Sequence, residues 1–205
     1  MDDFNNKLDG LDWISAPDVV RSKIIDAASV LYAKKGYGAT SLQEISEKAR
    51  VTRSVTRHYV KKKSEIMRMI MEDILTCFQE NLVQMIQGID DPEERLAAAI
   101  DVYFRIVDQQ KEKALLIYQK SSSLDKASRA RVMQLEVDVG TIFGKIIGEG
   151  IERGVFKEVD VGLMSYNIMM LAHMWALKRW HFKDRLSINK FVDLQTESVM
   201  AALKK

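Results

Sequence analysis

Apolar residues recur every three or four positions along almost all of this chain, and that spacing constrains the fold more than any other feature. Val20, Ile24 and Leu31, for example, fall on one face when the chain follows the α-helical period. Prolines would interrupt such helices, and the 205 residues contain only two, Pro17 and Pro92. The spacing therefore predicts an all-α protein of about nine helices, with no segment that favours a β-strand.

The breaks between the apolar stripes divide the chain into three parts. Residues 1–16 are polar and acidic and are predicted to form a flexible tail. Residues 17–65 contain one longer helix followed by two short ones, capped at Thr40 and Thr52 and joined by a tight turn, which is a helix-turn-helix layout. Residues 66–205 carry most of the apolar content and are predicted to form a larger helical domain.

The composition indicates a cytoplasmic protein. Its one cysteine, Cys77, excludes an intramolecular disulfide, which favours a reducing compartment. Residues 1–13 lack the basic and apolar segments of a signal peptide. The longest apolar run, residues 168–177, has about half the length that a membrane span needs. We therefore expect a soluble protein that makes no membrane contact.

Positive charge is concentrated in one short segment. From Lys48 to Arg68 the chain has eight lysines and arginines and one acid, Glu65, which gives a net charge of +7. The whole chain has a net charge of +2, so the remainder carries −5. This asymmetry indicates a polyanionic partner for the segment, although a charge run taken alone is also typical of a solvated basic face.

The second short helix of the layout carries side chains that suit the major groove of DNA. Arg53 and Arg57 are one turn apart and project from the same face, where arginine can pair bidentately with guanine. Val51 and Val55 can point back toward the first two helices. Lys63, which opens the next helix, suits a phosphate because a point charge suffices there. The residues expected to face double-stranded DNA are Thr40, Ser41, Thr52, Arg53, Ser54, Arg57, His58, Tyr59 and Lys63.

A longer pattern runs through residues 24–66, IIDAASVLYAKKGYGATSLQEISEKARVTRSVTRHYVKKKSEI. Its defining positions are Ile25, Ala28, Leu31, Tyr32, Gly36, Tyr37, Thr40, Ile45, Ala49, Val51 and Thr52. This pattern, kept without gaps, resembles the DNA-binding domain of the TetR family of transcriptional regulators. Arg50 departs from it where the family prefers glycine, Thr56 where it has an apolar residue, and Arg57 where it has tyrosine.

The resemblance implies a function for the rest of the chain. Members pair through their last two helices into a four-helix bundle, and those helices would be about residues 160–183 and 187–203 here. The implied protein is a homodimeric repressor that releases a palindromic operator when a small apolar effector binds the C-terminal domain. Three stretches of the C-terminal half are DVYFRIVDQQKEKALLIYQKSSSL, GVFKEVD and MLAHMWALKRWHFKDRLSINKFVDLQT. They are similar to a subset of the family that controls fatty-acid or acyl-CoA catabolism, which implies a long-chain acyl-CoA as effector.

Several residues of the C-terminal half are candidates to line such a ligand cavity. They combine adaptable methionine and aromatic side chains with polar groups that can orient a ligand, and a plain helical core is the alternative for each of them. The candidates are Tyr103, Tyr118, Met133, Phe143, Asn167, Met170, His173 and Met174.

No pattern indicates catalysis, a cofactor or a metal. The three histidines, His58, His173 and His181, lack a nearby cysteine or paired carboxylate at metal-ligand spacing. Nucleotide-binding and nucleophile motifs are absent from the sequence. Two other classes stay open at this point: a helical enzyme that uses the apolar cavity, and a small-molecule carrier whose helix-turn-helix is vestigial.

Overall fold

The computed structural model describes residues 19–120 and 124–205, and in these ranges ten α-helices and no strand are present. The all-α prediction is confirmed, and the predicted tail at 1–16 and the predicted break at 121–123 lie outside the described residues. The helices are α1 (Val19–Lys35), α2 (Leu42–Ala49), α3 (Arg53–Tyr59), α4 (Lys63–Ile86), α5 (Pro92–Gln109), α6 (Lys111–Lys120), α7 (Lys126–Glu152), α8 (Val161–Leu177), α9 (Arg179–Phe182) and α10 (Ile188–Leu203).

The first turn of the chain follows from backbone freedom at one glycine. Helix α1 ends in two lysines, and Gly36 follows with a φ of 85°, a conformation that favours glycine. The Gly36 amide donates to the carbonyl oxygen of Tyr32 at 2.9 Å, which closes the last turn as the sequence predicts. This turn sets the angle at which α2 leaves α1.

Helix α2 begins one residue later than predicted. Its N-cap is Ser41, whose side chain accepts from the amide of Glu44, while the Glu44 carboxylate accepts from the Ser41 amide at 2.8 Å. The predicted cap, Thr40, is instead buried and donates its hydroxyl proton to the carbonyl oxygen of Gly36 at 2.9 Å. Thr40 and Ser41 both have a hydroxyl that can cap a helix. Because Thr40 is buried against the preceding turn, Ser41 is the residue that caps α2.

Helix α4 connects the short helices to the larger helical body. Its first turns pack on α1, and its later turns pack on α5, α6 and α7. Buried side chains such as Val60, Ile66 and Ile70 belong to one apolar cluster that continues into the C-terminal helices. Because a single helix crosses residue 65, no linker separates the two parts there, and the division at that residue stays a prediction.

The C-terminal body consists of α5 to α10, with α5 packed against α7, α8 and α10. The predicted helix at about 160–183 is interrupted at Lys178, so it becomes α8 and the short α9. The other predicted helix of the pair, at 187–203, is found as α10. Among the described residues, the structure has no helix long and apolar enough to cross a membrane.

Candidate nucleic-acid interface and ligand site

Helix α3 presents a row of exposed polar and charged side chains. Thr52, Arg53 and Ser54 at its start are exposed, as are Arg57 and His58 near its end. Within the part of the chain that the structure describes, neither guanidinium has a hydrogen-bond or ion-pair partner. Two free cations one turn apart, on a helix capped by the Thr52 side chain, can donate to phosphates or to guanine edges.

Tyr59 differs from the rest of this row. It is only partly exposed, it packs against the apolar core, and its ring meets that of His58 edge-on with centroids 5.5 Å apart. The Tyr59 ring therefore lies at the edge of the α3 surface and packs against the ring of His58. The residues of α3 that precede Tyr59 provide its accessible polar groups.

The rear of α3 is fixed to α2 by a buried pair of hydroxyls. Thr56 is fully buried, and its hydroxyl oxygen lies 2.8 Å from that of Ser46, within hydrogen-bond distance. The prediction that Val55 points inward is wrong, since this side chain is 37% exposed, whereas Val51 does pack against the core. Thr56 is the buried residue of α3, and Val60, which follows the helix as its C-cap, is buried as well. Val55 lies about 100° around the helix from Thr56.

The turn between α2 and α3 contains an unusual backbone conformation. Arg50, the C-cap of α2, has a φ of 55° and a ψ of 42°, in the left-handed region that favours glycine. A residue with a Cβ in this conformation costs about 1–2 kcal/mol. The Arg50 side chain is exposed beside the start of α3, so the strained position adds a cation to the same surface.

Two of the residues predicted to face DNA, Lys63 and Thr40, have partners within the protein. The Lys63 ammonium donates to the carbonyl oxygens of Tyr37, Gly38 and Thr40 at 2.9, 3.1 and 2.8 Å. Because an ammonium has three N–H groups, these bonds use its full donor capacity. Thr40 is 2% exposed, so its side chain does not reach a DNA backbone. Lys63 and Thr40 therefore fix the loop before α2. Ser41, the N-cap of α2, is exposed.

The predicted ligand residues fall into two groups, and the first is a polar cluster in the core. His173 is 6% exposed, its Nε2 lies 2.8 Å from the hydroxyl of Tyr103, and its Nδ1 is hydrogen-bonded to the hydroxyl of Tyr118. The ring of Phe143 meets that of Tyr103 edge-on, with centroids 5.5 Å apart. Helices α5, α6, α7 and α8 each contribute one of these four residues.

Burial sets the protonation states in this cluster. Burial lowers the pKa of His173 from 6.5 to about 4, so the imidazole is neutral at physiological pH. Burial also raises the pKa of Tyr103, and burial together with the charge of Glu136 raises the pKa of Tyr118 to about 12. Burial raises the pKa of Glu136 above its usual value. The cluster is therefore a set of neutral hydrogen-bonding groups beside one carboxyl group.

The second group lies in a groove between α8 and α10. Asn167, Met170 and Met174 line this groove, whose volume is about 740 Å³ and whose walls are mostly apolar. The predicted residues therefore do not line a single cavity, because His173 faces the core cluster while Asn167 and Met174 face the groove. Met170 lies where the two places adjoin, since its sulfur accepts from the Tyr118 hydroxyl at 3.3 Å. Met133 lines neither place and is 59% exposed on α7.

One connection between the helix-turn-helix and the C-terminal body was not predicted. The Lys113 ammonium, on α6, lies 3.1 Å from an Asp26 carboxylate oxygen on α1 and 2.9 Å from one of Asp73 on α4. Lys113 and Asp73 are 40 positions apart, and no local pattern pairs two such distant charges. This ion-pair group joins three helices at the boundary between the two regions.

Comparison with protein families gives two matches that together span most of the chain. Residues 24–68 match the family described as bacterial regulatory proteins, tetR family. Residues 89–196 match the family described as tetracyclin repressor-like, C-terminal domain. The first covers the α3 surface, and the second covers both groups of predicted ligand residues.

Individual relatives agree with these matches. The HTH-type transcriptional regulator HbdR of Aromatoleum sp. (strain CIB) is 30% identical over 173 residues, which are 84% of this chain and 76% of that protein. A tetR-family regulatory protein from Rhodococcus RHA1 has the same fold, with a TM-score of 0.80 at 18% identity over 90% of this chain and 97% of that one.

A second solved structure contains ligands. It is AibR in complex with isovaleryl coenzyme A and operator DNA, with a TM-score of 0.74 at 21% identity, covering 88% of this chain and 97% of that one. At this identity the likeness shows a shared fold.

Proposed function

Because this chain belongs to the TetR family of helix-turn-helix transcriptional regulators, which are not enzymes, we propose that it is a cytoplasmic repressor of a palindromic operator. A small apolar effector that binds the C-terminal body releases the repressor from DNA. Such release requires that the effector prefer the arrangement of the two DNA-binding units that does not fit the operator.

The proposal depends above all on the two free guanidinium groups of α3. Arg53 and Arg57 are exposed, are one turn apart and have no partner among the described residues. A helix of this kind enters the major groove with its N-terminal residues toward base edges. Phosphate contacts come from the surrounding cations, and Arg50, Lys61 and Lys62 are exposed around the same helix.

A second copy of the chain is proposed to pair along α8 and α10. Leu163, Met170 and Leu177 on α8 are 62%, 45% and 36% exposed, and Leu194 on α10 is 38% exposed. Met170 and Leu177 line the apolar groove between the two helices, and burial of such an apolar patch against its own copy stabilises a two-fold dimer. Pairing there would place two α3 helices at a fixed separation suited to two half-sites.

The effector is proposed to bind at the polar cluster around His173. Helices α5, α6, α7 and α8 meet there, and α6 also contacts α1 through Lys113, so a ligand at the cluster lies close to the DNA-binding unit. The relative AibR is described with isovaleryl coenzyme A and operator DNA. We propose an acyl-CoA as effector for this chain on that basis and on the apolar surroundings of the cluster.

A selection from a pool of randomised duplexes tests this function. The expected product is a sequence with two symmetry-related half-sites about one helical turn apart, bound with an affinity that falls as salt rises. Addition of an acyl-CoA to the complex should release the duplex. Recovery of no preferred sequence at either low or physiological salt would contradict the proposal and favour a ligand carrier with a vestigial helix-turn-helix.

A further inference from the structure

The polar cluster contains a hydrogen-bond chain whose proton positions can be assigned. Tyr103 is wholly buried, and among the described residues its hydroxyl has one partner, the Nε2 atom of His173. If Tyr103 accepted a hydrogen bond there, its own proton would be buried without an acceptor, at a cost of about 1–3 kcal/mol. Tyr103 therefore donates to Nε2.

This assignment determines the state of the next member of the chain. A neutral imidazole has one N–H group, and with Nε2 as the acceptor that group is at Nδ1. Nδ1 therefore donates to the hydroxyl oxygen of Tyr118. Tyr118 accepts from His173 and retains its own hydroxyl proton for another partner.

The proton of Tyr118 has only a weak acceptor in this structure. The hydroxyl donates to the sulfur of Met170 at 3.3 Å, and a thioether is a poor acceptor compared with a carbonyl oxygen. Tyr118 is 40% exposed, in contrast to the fully buried Tyr103. The chain thus leads from the core to an accessible hydroxyl whose orientation is set by two buried groups.

A carboxyl group stands beside this hydroxyl. Glu136 on α7 is partly buried, and it forms no hydrogen bond or ion pair with another described residue. It lies four and seven positions before Gly140 and Phe143, on the face of α7 that meets Tyr166 and Tyr103. Together with burial, its charge raises the pKa values of Tyr118, Tyr103 and Tyr166. A ligand carboxylate placed at Tyr118 would meet like charge without a compensating cation among these groups, which disfavours its binding.

We propose that Tyr118 donates its hydroxyl proton to an uncharged carbonyl oxygen of the effector, and that Glu136 discriminates against free carboxylates at the same place. The inference rests on the proposed function and specifies its ligand as an ester, thioester or ketone rather than a free acid. Tyr103 and His173 act as positioning residues, since they hold the Tyr118 hydroxyl without contacting the ligand.

Paired probes that differ only in the head group test this proposal. Methyl esters and sodium salts of the same straight-chain acids are titrated into the full-length protein by calorimetry. The ester should bind at least about ten-fold more tightly than the acid. Tyr118→Phe should weaken ester binding roughly five-fold, the effect of one neutral hydrogen bond, and Glu136→Gln should bring the acid closer to the ester.

A matched control is available on the neighbouring helix. Tyr166 is also 40% exposed, and Tyr166→Phe removes a hydroxyl that has no hydrogen bond with a described residue. This control should leave ester binding unchanged, and operator binding by the Tyr118→Phe protein verifies that the variant is folded. The proposal is overturned if Tyr118→Phe binds the ester as wild type does, if acid or alkylamine probes bind more tightly than the ester, or if no ester binds.

These outcomes are separable from a failure of the proposed function. A protein that binds its selected operator but treats ester and acid alike would contradict only the inference about the head group. A protein that binds the ester in the predicted manner but selects no operator would contradict the regulatory function and leave the assignment at Tyr118 intact. If Tyr118→Phe changed dimerisation and left ester binding unchanged, the Tyr118 hydroxyl would contact the second copy of the chain and not the ligand. That result would overturn the inference.

Discussion

The surface of α3 and the cluster around His173 use polar side chains in opposite ways. On α3 the polar groups come from neighbouring positions, are exposed, and include two guanidiniums without partners among the described residues. Around His173 they come from separate helices, with Tyr103 and His173 70 positions apart, and they satisfy one another in the core. One region leaves its donors exposed, as the proposed contact with DNA requires, and the other holds a few donors in fixed orientations at the proposed effector site.

The first consequence of this difference is a pH dependence that originates in the core. The pKa of His173 is lowered from 6.5 to about 4. As the pH falls from 6.5 toward 4, the unfolded chain binds a proton that the native imidazole does not, so the free energy of unfolding should decrease by up to about 3 kcal/mol. Chemical denaturation across this pH range, compared with His173→Gln, measures the contribution.

A control on α3 isolates the effect of burial. His58 is an exposed histidine, and the His58→Gln variant controls for the loss of a histidine outside the buried cluster. Comparison between variants also cancels the opposing contribution of Glu136, whose pKa is raised. Equal slopes for the wild type and His173→Gln would show that the core histidine does not behave as its burial implies.

The second prediction concerns the exposed guanidiniums. Arg53→Ala should weaken binding to the selected operator by about 10- to 100-fold and relax the preference at one base position, because a bidentate contact to guanine is lost. Arg131, an exposed cation on α7, supplies the control, and its alanine variant should bind nearly as the wild type does. Affinity and preference are measured by repeating the selection. An unchanged preference for Arg53→Ala would remove it from the base contacts.

The third prediction tests how the rear of α3 is held. Ser46→Ala or Thr56→Val alone removes the hydrogen bond between the two hydroxyls, while the remaining hydroxyl keeps the carbonyl oxygen of Thr52 or Leu42 as a partner. Each change should lower the free energy of unfolding by about 0.5–1.5 kcal/mol. The double variant should cost less than the sum of the single changes, since both polar groups are then removed. Val55→Ala, at the exposed position next to Thr56, is the control. Strict additivity in a denaturation cycle would mean that the two hydroxyls do not interact.

The smallest expected effect is at the strained turn. Arg50→Gly relieves a left-handed conformation and should raise the free energy of unfolding by about 1 kcal/mol. If the side chain contacts a phosphate, the same variant should bind DNA more weakly and reduce the slope of log affinity against log salt by about one. A less stable Arg50→Gly protein would contradict the account of strain at this turn.

What the sequence predicted well was local. The apolar period and two prolines were sufficient for the all-α class, and the helix-turn-helix followed from two short capped segments. The glycine at 36 and the cap at Thr52 were found in the predicted places. At residues 40 and 41 the pattern allowed either cap, and the burial of Thr40 decided in favour of Ser41. These features depend on chemistry within a few residues of one another.

What the sequence could not predict depends on contacts between distant segments. Met170, His173 and Met174 share one helix, but His173 turns toward Tyr103 and Tyr118, and Met174 lines the groove beside α10. Met170 contacts both that groove and the Tyr118 hydroxyl. Helical spacing gives relative directions around an axis but not the neighbour that each direction meets. For the same reason the sequence could not predict that Lys63 donates to three carbonyl oxygens of the loop before α2.

The central claim is that two copies of the chain, joined by the C-terminal body, place two α3 helices on one operator. Native mass spectrometry of full-length protein mixed with the selected duplex tests it most directly, because the mass reports the number of chains and any retained ligand. The account predicts a complex of two chains and one duplex at physiological salt, with loss of the duplex when the acyl effector is added. A complex of one chain with the duplex, or free monomer beside free duplex, would contradict it.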